Sequence, residues 1–567
     1  MLAATVRVAT LATLLLAGVG TGVSQPQAPS GEAIAGVLRA ELDRNFKILK
    51  EKAQPSPYFI SYLVVEEDTE TLSAALGALT GLNRSQRRVV DCSVRVGSPE
   101  FDNSRVIGGD RNRFTASGLL PVENDELAIR RQLWLQTDRA WRAAAQRYIQ
   151  IRARSQVKQE NTLPEFTSET PIQGRELAPR AKFSAADWNG RLKRVSQKFG
   201  EYPSVLNSGL SLTYRYEKRT YLNTEGAEVE HGRGIARLTL VARAKATDGQ
   251  DLLTTESFEA EDPAKLPSDK ELLETVDRLA KNITGQLTAQ PVDPYVGPAI
   301  LSGRAAGVFF HEIFGHRIEG HRQRDEREGQ TFANSVGEPV LPEFLSVVSD
   351  PTARTAAGRD LHGYYPFDDE GIRAELVVVV DKGSLRNFLM SRMPLPGFSK
   401  SNGHGRKQPG LEVVPRQSNL IIQSSKRVSE KELRGLLMDE VRRQGKPYGL
   451  YFDQVTGGFT TTQRGGLQAF TVVPLVVYKV YPDGRPDELV RGVDIVGTPL
   501  ASFAKILATG DRDEVFNGFC GAESGSVPVS AVSPALLVSE IEVQRKPNPG
   551  DRPPLLRRPM NLDGGTQ

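Results

Sequence analysis

The chain of 567 residues contains very little cysteine and little excess charge. Two cysteines, Cys92 and Cys520, are too few for a scaffold held together by several disulfide bonds. A net charge of +3 gives no electrostatic support for a nucleic-acid partner. Beyond the N-terminus, no segment approaches the roughly 20 apolar residues that a membrane-spanning helix needs. The content of 39% hydrophobic and 25% charged residues instead indicates a folded protein with sizeable cores.

The N-terminus has the three-part pattern of a secretory signal peptide. Arg7 precedes an uncharged apolar run from Val8 to about Gly18, and small residues follow up to Gln25. We therefore expect residues 1–25 to be a signal peptide that directs export to the periplasm or the outside of the cell. The mature protein would then have no membrane span. An uncleaved membrane anchor is the alternative.

The apolar patterns predict an α+β fold, in which a mixed α/β N-terminal part precedes a large, mostly antiparallel β-rich domain. Helical spacing extends over residues 30–53 and 125–154, the latter with Leu127, Trp134, Trp141 and Tyr148 on one stripe. Capping boxes at Ser268 and Ser429 predict two further helices. Segments rich in β-branched and aromatic residues predict strands at 58–66, 87–96, 210–221, 235–246, 374–380, 385–390, 417–423, 470–481 and 540–544.

These patterns divide the chain into five parts. We expect a signal peptide (1–25), an N-terminal helix and strand region (30–165), a middle α/β region (180–297), the β-rich C-terminal domain (298–545) and a flexible tail (546–567).

Three of the six histidines lie between positions 311 and 321. His311 and His316 flank Glu312 on an apolar segment, as in zinc peptidases, where the carboxylate activates the metal's water. Their spacing of five residues turns a regular helix by about 500°, which leaves the two rings about 140° apart. Joint metal binding therefore requires a helix break or π-bulge, for which Gly315 is the expected position. Histidines that only satisfy hydrogen bonds remain the alternative.

A catalytic zinc site needs a third protein ligand. His321 competes for this role, but its charged neighbours favour an exposed surface histidine. Cys520 lies between Gly518 and Gly521, which allow close approach, and thiolate is a good zinc ligand. A disulfide bond between Cys92 and Cys520 is the alternative, and composition does not decide between them.

Several short motifs between about Ile300 and Val543 resemble the TldD/PmbA family of metallopeptidases, in particular its TldD-type, metal-bearing branch. The order of the motifs is that of the family. They are His311-Glu312-Ile313-Phe314-Gly315-His316 with Glu319-Gly320, Asp368-Asp369-Glu370-Gly371, Ser401-Asn402-Gly403-His404-Gly405-Arg406, Pro415-Arg416-Gln417-Ser418-Asn419, and Gly518-Phe519-Cys520-Gly521 running into Gly525-Ser526-Val527-Pro528-Val529.

The resemblance implies one zinc ion per chain, bound by His311, His316 and Cys520, with Glu312 as general base. It also implies a dimer that encloses the active site, either a homodimer or a heterodimer with a sister chain of the family. The familiar members are cytoplasmic, whereas this chain begins with an export pattern. His404 is a further catalytic candidate that would polarise a carbonyl, or a loop histidine that packs against the sheet. We interpret the acidic segment 368–371 as a solvated turn, or as a site for a substrate amine or second cation.

The hypothesis from the sequence is a zinc-dependent peptidase that hydrolyses extended or unfolded peptides, with Glu312 activating the attacking water. An exposed strand edge near the metal would align the peptide substrate. Two alternatives remain. The first is a metal-bound but catalytically idle scaffold or partner subunit that binds peptides for a sister chain. The second is a disulfide-stabilised binding protein without a metal.

Overall fold

The computed structural model describes residues 32–107, 109–154, 163–465, 469–498, 502–548, 550 and 554. The expected signal peptide (1–25) and most of the expected tail (546–567) lie outside these residues. Seven α-helices occur within them: α1 (Glu32–Lys52), α2 (Glu126–Arg154), α3 (Ala185–Gln197), α4 (Asp269–Thr288), α5 (Gly303–Ile313), α6 (His321–Arg324) and α7 (Glu430–Arg443). None of these helices is long and apolar enough to cross a membrane.

The N-terminal half forms an eight-stranded sheet in the order β3-β2-β1-β6-β7-β5, with β4 on β2 and β8 on β7. Only β5 runs parallel to its neighbour. Both of the expected regions, 30–165 and 180–297, contribute strands to this sheet, because β1 pairs with β6. The strands are β1 (Pro57–Ala75), β2 (Ala78–Ser98), β3 (Phe101–Asp102), β4 (Ala116–Leu120), β5 (Gln173–Leu177), β6 (Asn207–Asn223), β7 (Glu228–Lys245) and β8 (Asp251–Ala260).

β1 and β2 are about twice as long as the predicted strands at 58–66 and 87–96. Their outer halves are polar and partly exposed, so they lack the buried pattern on which the prediction depended. Main-chain pairing of β1 with both β2 and β6 extends the strands regardless of side-chain burial. Helices α1 to α4 pack on this sheet and bury two apolar clusters, centred on Leu38 and Leu133 and on Leu192 and Leu279.

The C-terminal half contains seventeen further strands, which complete the predicted α+β fold. They are β9 (Gln290–Pro291), β10 (Tyr295–Leu301), β11 (Leu345–Ser349), β12 (Thr355–Ala356), β13 (Arg359–Asp360), β14 (Val377–Asp381), β15 (Ser384–Leu385), β16 (Gly405–Arg406), β17 (Val414–Pro415), β18 (Asn419–Ser424), β19 (Arg427–Val428), β20 (Gly449–Thr460), β21 (Phe470–Val480), β22 (Glu488–Arg491), β23 (Val493–Gly497), β24 (Ile506–Ala522) and β25 (Gly525–Arg545).

Thirteen of these strands form one large sheet, and β12–β13 and β16–β17 form two small ladders. The long strand β25 is central, because it pairs with β10, β18, β23 and β24. Helix α5 lies against β20, β24 and β25, with Ala305, Phe309 and Phe310 in the main C-terminal core. The segment that carries the paired histidines is therefore held inside this core.

Candidate metal centre

Helix α5 ends between His311 and His316, as the spacing predicted. Ser302 caps its start by accepting a hydrogen bond from the main-chain N–H of Ala305 (3.2 Å). The helix stops at Ile313, and residues Gly315–Arg317 continue as a 3₁₀ turn. The rings of His311 and His316 consequently lie 5.0 Å apart with their planes at 82°.

Two contacts explain this break. Arg317 donates hydrogen bonds from Nη1 to the main-chain oxygens of Glu312 (3.0 Å) and Ile313 (3.2 Å), which a continuing helix would pair internally. A β-carbon on Gly315 would lie 1.9 Å from Oε1 of Gln417. Glycine is thus required at position 315 because another side chain packs against it.

Cys520 reaches the two histidines from strand β24. Its Sγ lies 3.2 Å from Nε2 of His311 and 3.4 Å from Nε2 of His316. All three side chains are buried, and their ligand atoms lie within 4.8 Å of one another. In a tetrahedral zinc site with bonds of about 2.3 Å to sulfur and 2.0 Å to nitrogen, these atoms are roughly 3.5 Å apart. The donor set and its spacing therefore fit a zinc ion.

The electrostatics favour a thiolate at Cys520. Burial opposes its charge, but His316, His311 and Arg416 outweigh burial and hold the pKa of the thiol well below its usual range. Burial likewise opposes the charge on His316, yet Cys520 and Glu319 raise its pKa to about 10. Thiolate is the form of cysteine that binds metal.

The two cysteines are not joined. Both are free and buried. Cys92 lies in the core under α1 and α2, with Sγ 3.9 Å from Oγ1 of Thr137, and burial raises its pKa to about 12. The alternative of a Cys92–Cys520 disulfide bond is therefore wrong.

A buried charged shell surrounds the ligands. Nδ1 of His316 lies 3.3 Å from Oε2 of Glu319, which also accepts a hydrogen bond from Nε of Arg322 (2.8 Å). Nε of Arg416 lies 3.5 Å from Oε1 of Glu319. Because Nδ1 faces a carboxylate, Nε2 of His316 is left to bind a metal. Glu319 and Arg416 belong to the motifs quoted above, but neither was among the site residues chosen from the sequence, where Arg416 was considered only as a partner for a peptide carboxylate or for the acidic turn.

Glu312 lies beside the three ligand residues. Its Oε2 is 4.0 Å from Nε2 of His316, and burial raises its pKa. Strand β20 passes directly over it, since a β-carbon on Gly458 would be 2.7 Å from Cγ of Glu312. A buried carboxylate with a raised pKa suits general acid and base chemistry.

His311, Glu312, His316 and Cys520 line one cavity of about 1070 Å³. Strand β20 supplies another part of its wall, from Thr456 to Thr460. At Leu450–Phe452 this strand lies between β10 and β21, whereas the segment 454–460 pairs only with β21 in the described part of the chain. The cavity thus contains a free strand edge.

His404 is not brought to this cavity. It is fully buried, with Nδ1 3.0 Å from the main-chain oxygen of Asn402 and Nε2 3.1 Å from Oγ of Ser349. Burial lowers its pKa to about 3. Its position corresponds to the second interpretation above, a loop histidine that packs within the domain.

His321 is buried, so the prediction of an exposed histidine is wrong. Its Nε2 contacts the carboxylate of Glu523, which also accepts a hydrogen bond from Nη2 of Arg322 (2.9 Å). His321 and Arg322 thus share an opposite charge, Glu523 on the β24–β25 turn, which the local sequence does not reveal.

The acidic segment 368–371 is also buried, not solvated. Asp368 accepts main-chain hydrogen bonds from Glu370 (2.9 Å), Ile372 (3.0 Å) and Gly405 (2.9 Å). Asp369 accepts one from Nη1 of Arg219 on β6 (2.5 Å). The segment therefore connects the N-terminal sheet to the C-terminal domain.

Comparison with known proteins finds relatives among metallopeptidases. Residues 295–545 match the model of the PmbA/TldA metallopeptidase C-terminal domain. A metalloprotease of Archaeoglobus fulgidus is 30% identical over 274 residues, which cover 47% of this chain and 58% of the relative. A metalloprotease TldD homolog of Haemophilus influenzae is 27% identical over 251 residues, which cover 43% and 48%. The chain spans about half the length of these curated relatives.

A solved structure shows the same fold. TldE from Thermococcus kodakarensis superimposes with a TM-score of 0.59 at 15% identity, over 90% of this chain and 100% of that one. At this identity the likeness concerns the fold alone. The family match and the curated relatives show that residues 295–545 form a C-terminal domain of the TldD/PmbA family.

Proposed function

We propose that the protein is a zinc-dependent peptidase that hydrolyses extended or unfolded peptides, with one zinc ion per chain. The observation that carries this proposal is the buried cluster of His311, His316 and Cys520 beside Glu312 in one cavity. Bound there, zinc would polarise the scissile carbonyl and lower the pKa of its water.

Glu312 is the proposed general base. Its carboxylate takes the proton of the attacking water and returns it to the leaving amine. Burial raises the pKa of this carboxylate, which favours its return of the proton to the leaving amine. The main chain at Gly458 packs closely against this side chain.

The free edge of β20 is the proposed substrate platform. An extended peptide that adds to residues 454–460 would be held by main-chain hydrogen bonds, which give affinity with little sequence preference. An unfolded chain has main-chain groups available along its whole length for such pairing, so the arrangement supports a preference for unfolded chains.

The assembly and location of the protein are also proposals. The family and the TldE fold support a dimer, either of two copies or with a sister chain. We propose that residues 1–25 direct export. The second candidate function is a metal-bound but idle subunit that binds peptides for a sister chain, and it would use the same β20 edge.

The variant Glu312→Gln tests the peptidase proposal. We expect loss of hydrolysis of an unstructured peptide with zinc still near one per chain, because glutamine cannot accept the proton. Glu326→Gln, at an exposed position of the same segment, is the control and should cleave normally. Equal cleavage by Glu312→Gln and the wild type would contradict the general-base assignment. Zinc-loaded wild type that binds peptides but cleaves none would favour the idle subunit.

A further inference from the structure

Arg111 brings a positive charge from the N-terminal half into the cavity of the metal centre. It belongs to the connection between β3 and β4, which is fixed to a C-terminal loop. Thr115 donates a main-chain hydrogen bond to Gly410 (3.1 Å), and Glu412 donates one to Arg113 (3.0 Å). Next to Arg111, the Asn112 side chain donates a hydrogen bond to Oε1 of Glu412 (2.6 Å). The two halves of the chain thus hold Arg111 in a defined position.

The guanidinium of Arg111 lacks a close acceptor. In the part of the chain that the structure describes, it makes no hydrogen bond, and its Nη2 is buried without a partner. The carboxylate oxygen with which it pairs, Oε1 of Glu523, is 3.9 Å from Nη1. Glu523 already contacts His321 and accepts a hydrogen bond from Arg322. It therefore cannot neutralise Arg111 fully.

This arrangement is costly for the free protein. An unsatisfied buried donor destabilises a fold, and a charged donor does so more strongly. Such groups are rare in native structures and call for an explanation. Burial also lowers the pKa of Arg111, so its surroundings do not compensate for the lost hydration. An acceptor that arrives with a ligand would remove this cost.

We propose that Arg111 binds a carboxylate of the peptide substrate, either its C-terminus or an acidic side chain. Guanidinium and carboxylate match in geometry, and their charged hydrogen bonds are about twice as strong as neutral ones. The inference rests on the proposed function, because it assigns a substrate feature to the same cavity.

The test measures peptide affinity without turnover, in the zinc-loaded Glu312→Gln background. Three fluorescent versions of one unstructured peptide are compared by anisotropy: a neutral amidated form, the same peptide with a free C-terminus, and an amidated form with one glutamine replaced by glutamate. We expect at least one carboxylate form to bind about tenfold or more tightly than the neutral form.

Arg111→Ala should abolish this advantage and leave the affinity for the neutral peptide nearly unchanged. Arg111→Glu should reverse the charge preference, so that an amidated peptide with one lysine binds more tightly than the neutral form. This reversal distinguishes a binding role of Arg111 from a structural one. Arg142→Ala removes an exposed charge on α2 and is the control. If Arg111→Ala removes the advantage of the free C-terminus, Arg111 binds the terminal carboxylate. If it removes the advantage of the glutamate peptide, Arg111 binds an acidic side chain.

An advantage that survives in Arg111→Ala, or equal binding of all three peptides when Arg111 is present, would overturn the assignment. Cleavage by the protein with Glu312 intact is measured separately. Peptides that bind through Arg111 but are never cleaved would sink the peptidase proposal and leave this inference standing.

Discussion

Arg416 donates a hydrogen bond of 2.7 Å from Nη2 to the main-chain oxygen of Cys520. The same guanidinium faces Glu319, whose carboxylate contacts the ring of His316. One fully buried arginine thus links the segments that carry two of the three proposed ligands. Arg416 and Glu319 therefore help to set the positions of the ligands, together with the strand and the helix that carry them.

Glu319→Gln should weaken zinc binding by about 10- to 100-fold, the usual effect of changing a residue that orients a metal ligand. Glutamine keeps the size but loses the charge that faces His316, Arg322 and Arg416. Competition with a chromogenic chelator measures the affinity. Glu328→Gln is the control, because Glu328 also pairs with Arg322 (3.2 Å) and is not among the contacts of His316. Equal affinities for both variants would contradict the orienting role.

Gly458→Ala should lower kcat and leave the bound zinc unchanged. The added methyl group would lie 2.7 Å from Cγ of Glu312 and displace the carboxylate. A displacement of about 1 Å costs on the order of 100-fold in rate. Gly465→Ala, where a β-carbon meets nothing within 4 Å, should behave as the wild type. If both variants cleave normally, the close packing of Glu312 has no catalytic importance.

Glu217 on β6 should contribute to stability at neutral pH and not in acid. Burial opposes its charge, but Arg219, Arg215 and Arg233 outweigh burial and lower its pKa. Because the folded-state pKa lies below the unfolded value of about 4.5, the contribution is complete above that pH. It is lost as the pH falls towards the folded-state pKa.

Glu217→Gln should therefore destabilise the protein by about 1–3 kcal/mol at pH 7, since Arg219, Arg215 and the buried Arg233 lose a charged partner. The difference in urea midpoint between wild type and variant should shrink steadily below about pH 4.5. A difference that stays constant down to pH 3 would show that the charge of Glu217 is not the cause.

The ends of several helices and the helix break were accessible from the sequence. Periodicity placed α1, α2 and α4 almost correctly, because their apolar faces and capping residues are local features. The five-residue spacing of His311 and His316 required a break, and one is present. The causes of the break were not accessible from the sequence. Gln417, which packs against Gly315, and Thr460, which accepts a hydrogen bond from Arg317, are both distant in the chain.

Burial of charge was the main feature that sequence patterns missed. His321, Arg322 and segment 368–371 look solvated, since their partners lie on distant strands. The stripe on α2 was only half right, because Trp141 and Tyr148 pack against the core and the other two residues do not. Leu127 and Trp134 are 69% and 52% exposed, whereas Leu133, Ala140 and Ala144 face the sheet. Small residues allow the closer approach of helix and sheet, and a count of large apolar residues overlooks them.

The central claim is that His311, His316 and Cys520 together bind one zinc ion. Zinc content and thiol reactivity, measured on the native protein with and without a chelator, test it most directly. The account predicts one zinc per chain, a Cys520 thiol that reacts only after chelation, two free thiols after denaturation, and loss of zinc in Cys520→Ser. Full retention of zinc in Cys520→Ser, or a freely reactive Cys520 in protein that binds no zinc, would contradict it.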